Sequence, residues 1–353
     1  MLTKKRYSVK DILMWTRWEI SGFLLFAITV TVLHHYAGFS FLRVPWTPVA
    51  VVGTAVAFII GFQNNSAYGR IWEARKIWGG IVNTSRTWGM KTKDMITAEH
   101  AAQSVTVEEL QVLRRSVVHR HIAWLTALRY AMRQPRKWED FQEHHTNREW
   151  SDLVQIPERM VDLATVLSTY LSPGELEFTL SKNNKAAAIL YLQSDHLRVL
   201  KERGIIWEFS FLELENLLQE LFTLQGKSER IKNFPYPRQY ATLSLYFVWI
   251  FLILLPFAII PEFANIGATL MDAFPNVGSW FIWAGVPFCA LISWMFHTME
   301  RIGRVGENPF EGSSNDVPIS TISRGIEIDL RQMMGENQQD IPDQFEEIMD
   351  IQM

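Results

Sequence analysis

The chain has 353 residues, 20 % charged and 48 % hydrophobic, with a formal net charge of −3. That balance excludes the broad basic surface needed to hold nucleic acid by its phosphates, so no nucleic-acid partner is expected. The single cysteine, Cys289, excludes an internal disulfide and a Cys-based metal centre, and its place in an apolar run reads as a small buried hydrophobe.

The averages conceal a segregated sequence. Apolar stretches lie near the two ends and charges crowd the middle. Many of the 14 Trp sit beside the apolar stretches, where an amphipathic ring fits the membrane interface. Lys4, Lys5, Arg6, Lys10 and Arg17 precede an apolar run over residues 20–33, in the manner of a signal peptide. His34, His35 and Tyr36 follow without a small-x-small cleavage pattern, so the run is expected to be retained as a span.

Crossing the hydrocarbon core takes ~20 helical residues. Four segments of about that length lack Asp, Glu, Lys and Arg: residues 20–42, 44–69, 239–261 and 278–298. The N-terminal flank is basic, and 70–238 is rich in Arg and Lys. The links between the first and second spans and between the third and fourth carry only Arg43, Glu262 and Asp272. Cytoplasmic loops collect Lys and Arg, which puts both chain ends and 70–238 in the cytoplasm and the two links outside. The expected division is 1–69 with spans one and two, 70–238 as a cytosolic helical domain, 239–298 with spans three and four, and 299–353 as a cytosolic C-terminal segment.

Within the middle stretch, residues 85–97, Val107–Arg133, 152–171 and 205–224 carry apolar residues at three- and four-residue spacings and read as helices. Residues 133–150 read as a loop or short helix, and Pro235 and Pro237 mark re-entry to the membrane. The acidic, Gln-rich tail after Gln332 is expected to be partly mobile.

Enzyme signatures are absent: no G-x-S-x-G, G-x-x-x-x-G-K-[ST], H-E-x-x-H or C-x-x-C occurs. Neither an enzyme nor a cofactor is expected. His119 and His121 flank Arg120, and Glu143-His144-His145 falls in the polar loop. Adjacent histidines point to different faces of a helix, so both groups read as solvated surface.

The second span is the informative one. Thr54, Phe58 and Phe62 recur every four residues and form a slanted stripe, which Asn65 and Gly69 continue. Val52, Ala55, Val56, Ile59 and Ile60 occupy the other faces. Such a stripe fits packed core as well as pore lining. The polar run Gln63-Asn64-Asn65-Ser66 favours a face that meets water or other helices. A hydrophobic constriction opening into a polar vestibule, here at Asn65, is one construction of a channel that gates by dewetting. Beyond it, Arg70 and Glu73 are three apart and are expected to pair.

Three groups of residues, taken together, resemble the prokaryotic branch of the bestrophin family. They are Gly61-Phe-Gln-Asn-Asn-Ser-Ala-Tyr-Gly-Arg-Ile-Trp-Glu-Ala-Arg75 with Trp78-Gly79; Glu229-Arg-Ile231 with Pro235-Tyr-Pro237 and Tyr240; and Glu307-Asn-Pro-Phe310 with Asn315-Asp316 and Ile326-Glu-Ile-Asp-Leu330. The resemblance covers most of the chain and is weakest over 91–201. It implies a homopentameric channel whose second spans form a narrow neck at Thr54, Phe58 and Phe62. Thr54 departs from the family's usual aliphatic residue and makes that ring easier to wet. A lower aperture is implied on the helix 205–224, at Leu212 or, second, Phe209. In calcium-activated relatives the E-N-P-F step is followed by dense acidic residues. Here Ser313 replaces one ligand position and Asp316 keeps another, so no metal is expected and Asp316 reads as a remnant. That segment is expected to be structural, with Asn308 and Asp316 capping turns and 326–330 packing along neighbouring subunits.

The combined expectation is an all-α integral membrane protein of the cell (inner or plasma) membrane. Four transmembrane helices per subunit continue into a helical cytosolic domain, and a homopentamer surrounds a central pore. It conducts monovalent ions passively across the lipid bilayer. Phe rings presenting positive edges to the axis favour anions such as chloride. A cation channel of the same fold stays open, as does, less favoured, a transporter or scaffold; Pro256 and Pro287 are the only hints of the broken helices a transporter would use.

Overall fold

A computed structural model of the chain describes residues 1–39, 41–101, 103–139, 146–149 and 154–353. The named helices are, in chain order, α1 (Val9–Trp15), α2 (Arg17–His35), α3 (Trp46–Met95), α4 (Val107–Arg133), α5 (Pro157–Met160), α6 (Leu163–Leu167) and α7 (Pro173–Leu180). They continue as α8 (Lys185–Glu202), α9 (Glu208–Asn233), α10 (Arg238–Leu270), α11 (Pro275–Trp280), α12 (Gly285–Gly306) and α13 (Ile319–Met333), with a 3-10 turn, Phe281–Ala284, before α12. Among the described residues β-structure is confined to isolated bridges, so the fold is all-α. Four helical runs are long and apolar enough to cross a membrane: Arg17–His35, Trp46–Met95, Glu208–Leu270 and Pro275–Gly306. The chain divides into two compact units.

One unit comprises Lys4–Gly69 and Pro235–Glu307. Its core gathers Ala27 and Val30 of α2, Val49, Val56 and Ile60 of α3, the stretch from Val248 to Ile260 of α10, and Cys289 of α12. Cys289 is 1 % exposed. Gly53 lets α10 approach α3 closely: a Cβ there would lie 2.7 Å from the Phe251 ring. Pro237 caps the start of α10, while Pro256 and Pro261 lie inside it. An interior proline removes one backbone hydrogen bond, and packing against neighbouring helices makes this tolerable in a membrane span. α10 runs past the expected end at 261, so Glu262 belongs to the helix and reaches Arg43 of the preceding link at 3.3 Å. That contact joins the first link to the end of the third span.

The other unit comprises Met1–Thr3, Arg70–Phe234 and Asn308–Met353. α4 lies at its centre, buried on all faces along its second half, a pattern reserved for core helices. Its N-terminus is fixed by a capping box between Thr106 and Glu109. Trp78, Trp88 and Trp124 are fully buried around it, and the Trp124 indole donates to Gln225 Oε1 at 2.9 Å.

Several expectations change in this unit. The helix expected over 152–171 breaks into α5 and α6, because Val161 and Asp162 are extended and the Asp162 side chain accepts the Ala164 N–H to start the next turn. His121 is not on a solvated surface: it is 2 % exposed, with Trp88 stacked on its ring, Trp124 beside it and Nε2 2.9 Å from Ser85 Oγ. His119, half-buried, meets Glu336 Oε1 at 2.6 Å. Ile326 and Leu330 lie in this subunit's own core rather than along a neighbour, because α13 packs on α4. The C-terminal tail is held, with Ile351 and Met353 buried and the Met353 carbonyl accepting from Thr321. His144 and His145 lie outside the described residues.

Candidate functional site

α3 is one uninterrupted helix of 50 residues, so the helix that carries the second span continues well beyond Gly69. A charge at Arg70 ends an apolar run but not the i→i−4 hydrogen bonding of the backbone. The expected Arg70–Glu73 pair does not form. Arg70 donates instead to the carbonyls of Ile231 and Phe234 at 3.1 and 2.9 Å, and Glu73 pairs with Arg230 at 2.7 Å. Arg70 thereby satisfies carbonyls that the end of α9 leaves without intrahelical partners.

Within the span, each face of α3 has a distinct environment. Val56 and Ile60 are buried, whereas Phe58 and Phe62 are 65 % and 73 % exposed. Thr54 and Asn65 are exposed on the same side. The four predicted residues line one groove of about 870 Å3, together with Ala50, Gly53, Ala57 and Gly61 of α3 and Phe251, Leu255, Ile292 and Phe296 of α10 and α12. The wall is almost wholly apolar; Asn65, the Thr54 hydroxyl and the indole of Trp46, which also lines it, carry its polar side-chain atoms. Thr54 Oγ1 donates to the Ala50 carbonyl at 2.9 Å, so its hydrogen is used within the helix and only lone pairs face outward.

The polar run after Phe62 divides by face. Asn65 and Ser66 are exposed, Asn64 is half-buried, and Gln63 is buried at 3 % exposure. Gln63 Nε2 donates to Glu307 Oε1 at 2.9 Å, and Ser244 Oγ donates to Gln63 Oε1 at 2.6 Å. This buried triad was not visible to sequence reasoning, since its members are far apart in the chain. A second buried group in this unit joins Arg301 to Glu19 at 2.7 Å, with the guanidinium 4.1 Å from the Trp15 ring centroid.

In the other unit, Leu212 and Phe209 are exposed on α9, at 52 % and 63 %, and the Phe209 ring meets Trp207 edge-on at 4.8 Å. Asp316 is buried, with its carboxylate occupied by the backbone N–H groups of Phe310, Gly312 and Val317 and by Arg133. Ser313 is also buried. Among the described residues no group of three or more His, Cys, Asp or Glu side chains is arranged to hold a metal ion.

The sequence model of the Bacterial/Fungal Bestrophin protein family matches residues 9–332. Among curated proteins, the chain is 28 % identical over 323 residues to the voltage-dependent anion channel-forming protein YneE of Escherichia coli strain K12, covering 90 % of this chain and 88 % of that one. It is 25 % identical over 317 residues to the voltage-dependent anion channel-forming protein RSc3414 of Ralstonia nicotianae, covering 89 % and 86 %. Among solved structures, a bacterial bestrophin homologue from Klebsiella pneumoniae superposes with a TM-score of 0.68 at 22 % identity, covering 91 % of this chain and 98 % of that one. That likeness is one of fold.

Proposed function

The chain belongs to the bacterial and fungal bestrophin family, and we propose that it is a homopentameric channel conducting monovalent anions passively across the cell membrane. The observation that carries this reading is the outward stripe of α3. Two phenylalanines more than half exposed stand on a helix whose opposite face, with Val56 and Ile60, is packed by its own subunit. Five such helices around one axis would stack Thr54, Phe58 and Phe62 as rings and leave Asn65 in a wetter vestibule beside them. No covalent chemistry is needed: a hydrophobic neck of this kind controls conduction by whether water fills it. Ring edges carry the positive part of the aromatic quadrupole, which favours anions over cations at Phe58 and Phe62. The names of the Escherichia coli and Ralstonia relatives point the same way.

Leu212, or second Phe209, supplies a further constriction from α9 of the cytosolic unit. Both chain ends face the cytoplasm, supported by the basic N-terminal flank and by the Arg- and Lys-rich stretch between spans two and three. The lipid bilayer and the other subunits are the only partners this reading requires; no cofactor or metal takes part. Native mass spectrometry in mild detergent tests the assembly. A pentamer is expected, and a stable monomer would contradict it.

A further inference from the structure

We propose that Gln63 is a positioning residue: clamped between Glu307 and Ser244, it sets the rotation of α3 about its own axis and so keeps Phe62 in the constriction. This rests on the reading of Phe58 and Phe62 as the neck.

The buried core contacts of α3 in its unit, at Val49, Val56 and Ile60, are aliphatic and aromatic. Such contacts are non-directional and by themselves specify the rotation of a helix less sharply than hydrogen bonds do. Gln63 differs because both ends of its amide are used in directional bonds. Its Nε2 donates to Glu307 Oε1, immediately beyond α12, and its Oε1 accepts from Ser244 of α10. All three side chains are buried, at 3 %, 1 % and 1 % exposure for Gln63, Glu307 and Ser244. Buried directional bonds with a charged acceptor are short, strong and costly to leave unmade. Arg238 lies 4.0 Å from the other Glu307 oxygen and supports its charge.

Helix geometry connects the clamp to the neck. Successive residues point about 100° apart, so holding Gln63 inward fixes Phe62 outward, where it is 73 % exposed. α12 also abuts α3 one residue further on: a Cβ at Gly303 would lie 2.4 Å from Asn64 Oδ1. The end of the fourth span therefore sits directly on the segment of α3 that follows the neck. Releasing the clamp loosens the rotational setting of α3 at Gln63, lets Phe62 swing away from the axis and lets the constriction wet.

The test is chloride efflux from proteoliposomes containing the full-length channel. Gln63→Leu is expected to raise efflux about tenfold, the population change that one hydrogen bond to a charged group is worth. Glu307→Gln alone should also raise it. The pair Gln63→Glu with Glu307→Gln rebuilds the same bond with donor and acceptor exchanged and should return efflux to the wild-type level. In a Phe58→Ala/Phe62→Ala background, Gln63→Leu should add nothing, because no ring remains to be positioned. An equal rise in both backgrounds overturns the proposal, and so does wild-type efflux from Gln63→Leu while the double alanine variant is active. If Gln63→Leu does not assemble, the exchanged pair decides, and failure to restore efflux overturns the proposal. Unchanged efflux from Phe58→Ala/Phe62→Ala by itself removes the neck reading, and this proposal with it.

Discussion

Asp316 Oδ1 accepts the backbone N–H of Phe310 at 2.8 Å and holds that residue in the left-handed region at φ 78°, a conformation seldom taken by a bulky side chain. Oδ1 also accepts from Val317 at 2.6 Å, while Oδ2 accepts from Gly312 at 2.8 Å and meets Arg133 at 3.2 Å. The carboxylate therefore organises a buried turn with its own chain's donors and has little capacity left for a cation. Asp316→Ala should leave several buried donors unpaired and cost roughly 3 kcal/mol or more, read as a lowered melting temperature in detergent. Channel activity should be equal in micromolar calcium and in excess chelator. A rise on adding calcium that Asp316→Ala abolishes would contradict this account.

Phe58 and Phe62 make the clearest prediction for conduction. Truncating both to alanine widens and wets the proposed neck, so single-channel current should rise without loss of the pentamer. Current and gating identical to wild type would place the conductance limit elsewhere.

Lys76 lies eighteen residues after Phe58 on α3, about five whole helical turns. It therefore falls on the same helical register of α3 as Phe58. It is exposed, and among the described residues no ion pair neutralises it, in contrast to Glu73 with Arg230 and Lys91 with Glu213. Five such ammonium groups around the axis would concentrate anions on the cytosolic side of the neck. Lys76→Glu should reduce anion-over-cation permeability several-fold, and more so at low ionic strength, where charges are least screened. A reversal potential unmoved at low salt would exclude this role.

His121 predicts a pH dependence of stability. Burial pushes its imidazole down to about 3, from an ordinary value near 6.5. The folded state then binds fewer protons than the unfolded chain at acid pH, so stability is full above pH ~6.5 and falls as pH drops from there towards 3. The loss is about 1.4 kcal/mol per pH unit in that window. Melting temperatures of the detergent-solubilised protein at pH 7.5 and 5.0 should differ, and His121→Gln should flatten the difference. An equal acid sensitivity in the variant would assign the effect to other groups.

How far the fold was legible in the sequence depended on the range of the forces involved. The four spans follow from local composition, since each is an apolar run of membrane length. That Phe58 and Phe62 share one face follows from their four-residue period, but their exposure, which the period leaves open, comes from the packing. Boundaries were less legible, because a charge such as Arg70 ends an apolar run and not the helix α3. Arg70 and Glu73 are well spaced to pair, yet each finds a partner on or just beyond α9. His121 carries a polar label that gave no sign of the two tryptophans enclosing it. Gln63 was legible only as polar, because Glu307 lies 244 residues away and only the packing of α3, α10 and α12 brings the two together.

The central claim is passive anion conduction, and reversal potentials across planar bilayers test it most directly. With the purified channel in a KCl gradient, the account predicts current that reverses near the chloride equilibrium potential and is unaffected when sodium replaces potassium. Reversal near the potassium equilibrium potential would contradict anion selectivity, and the absence of any unitary current would contradict the channel itself.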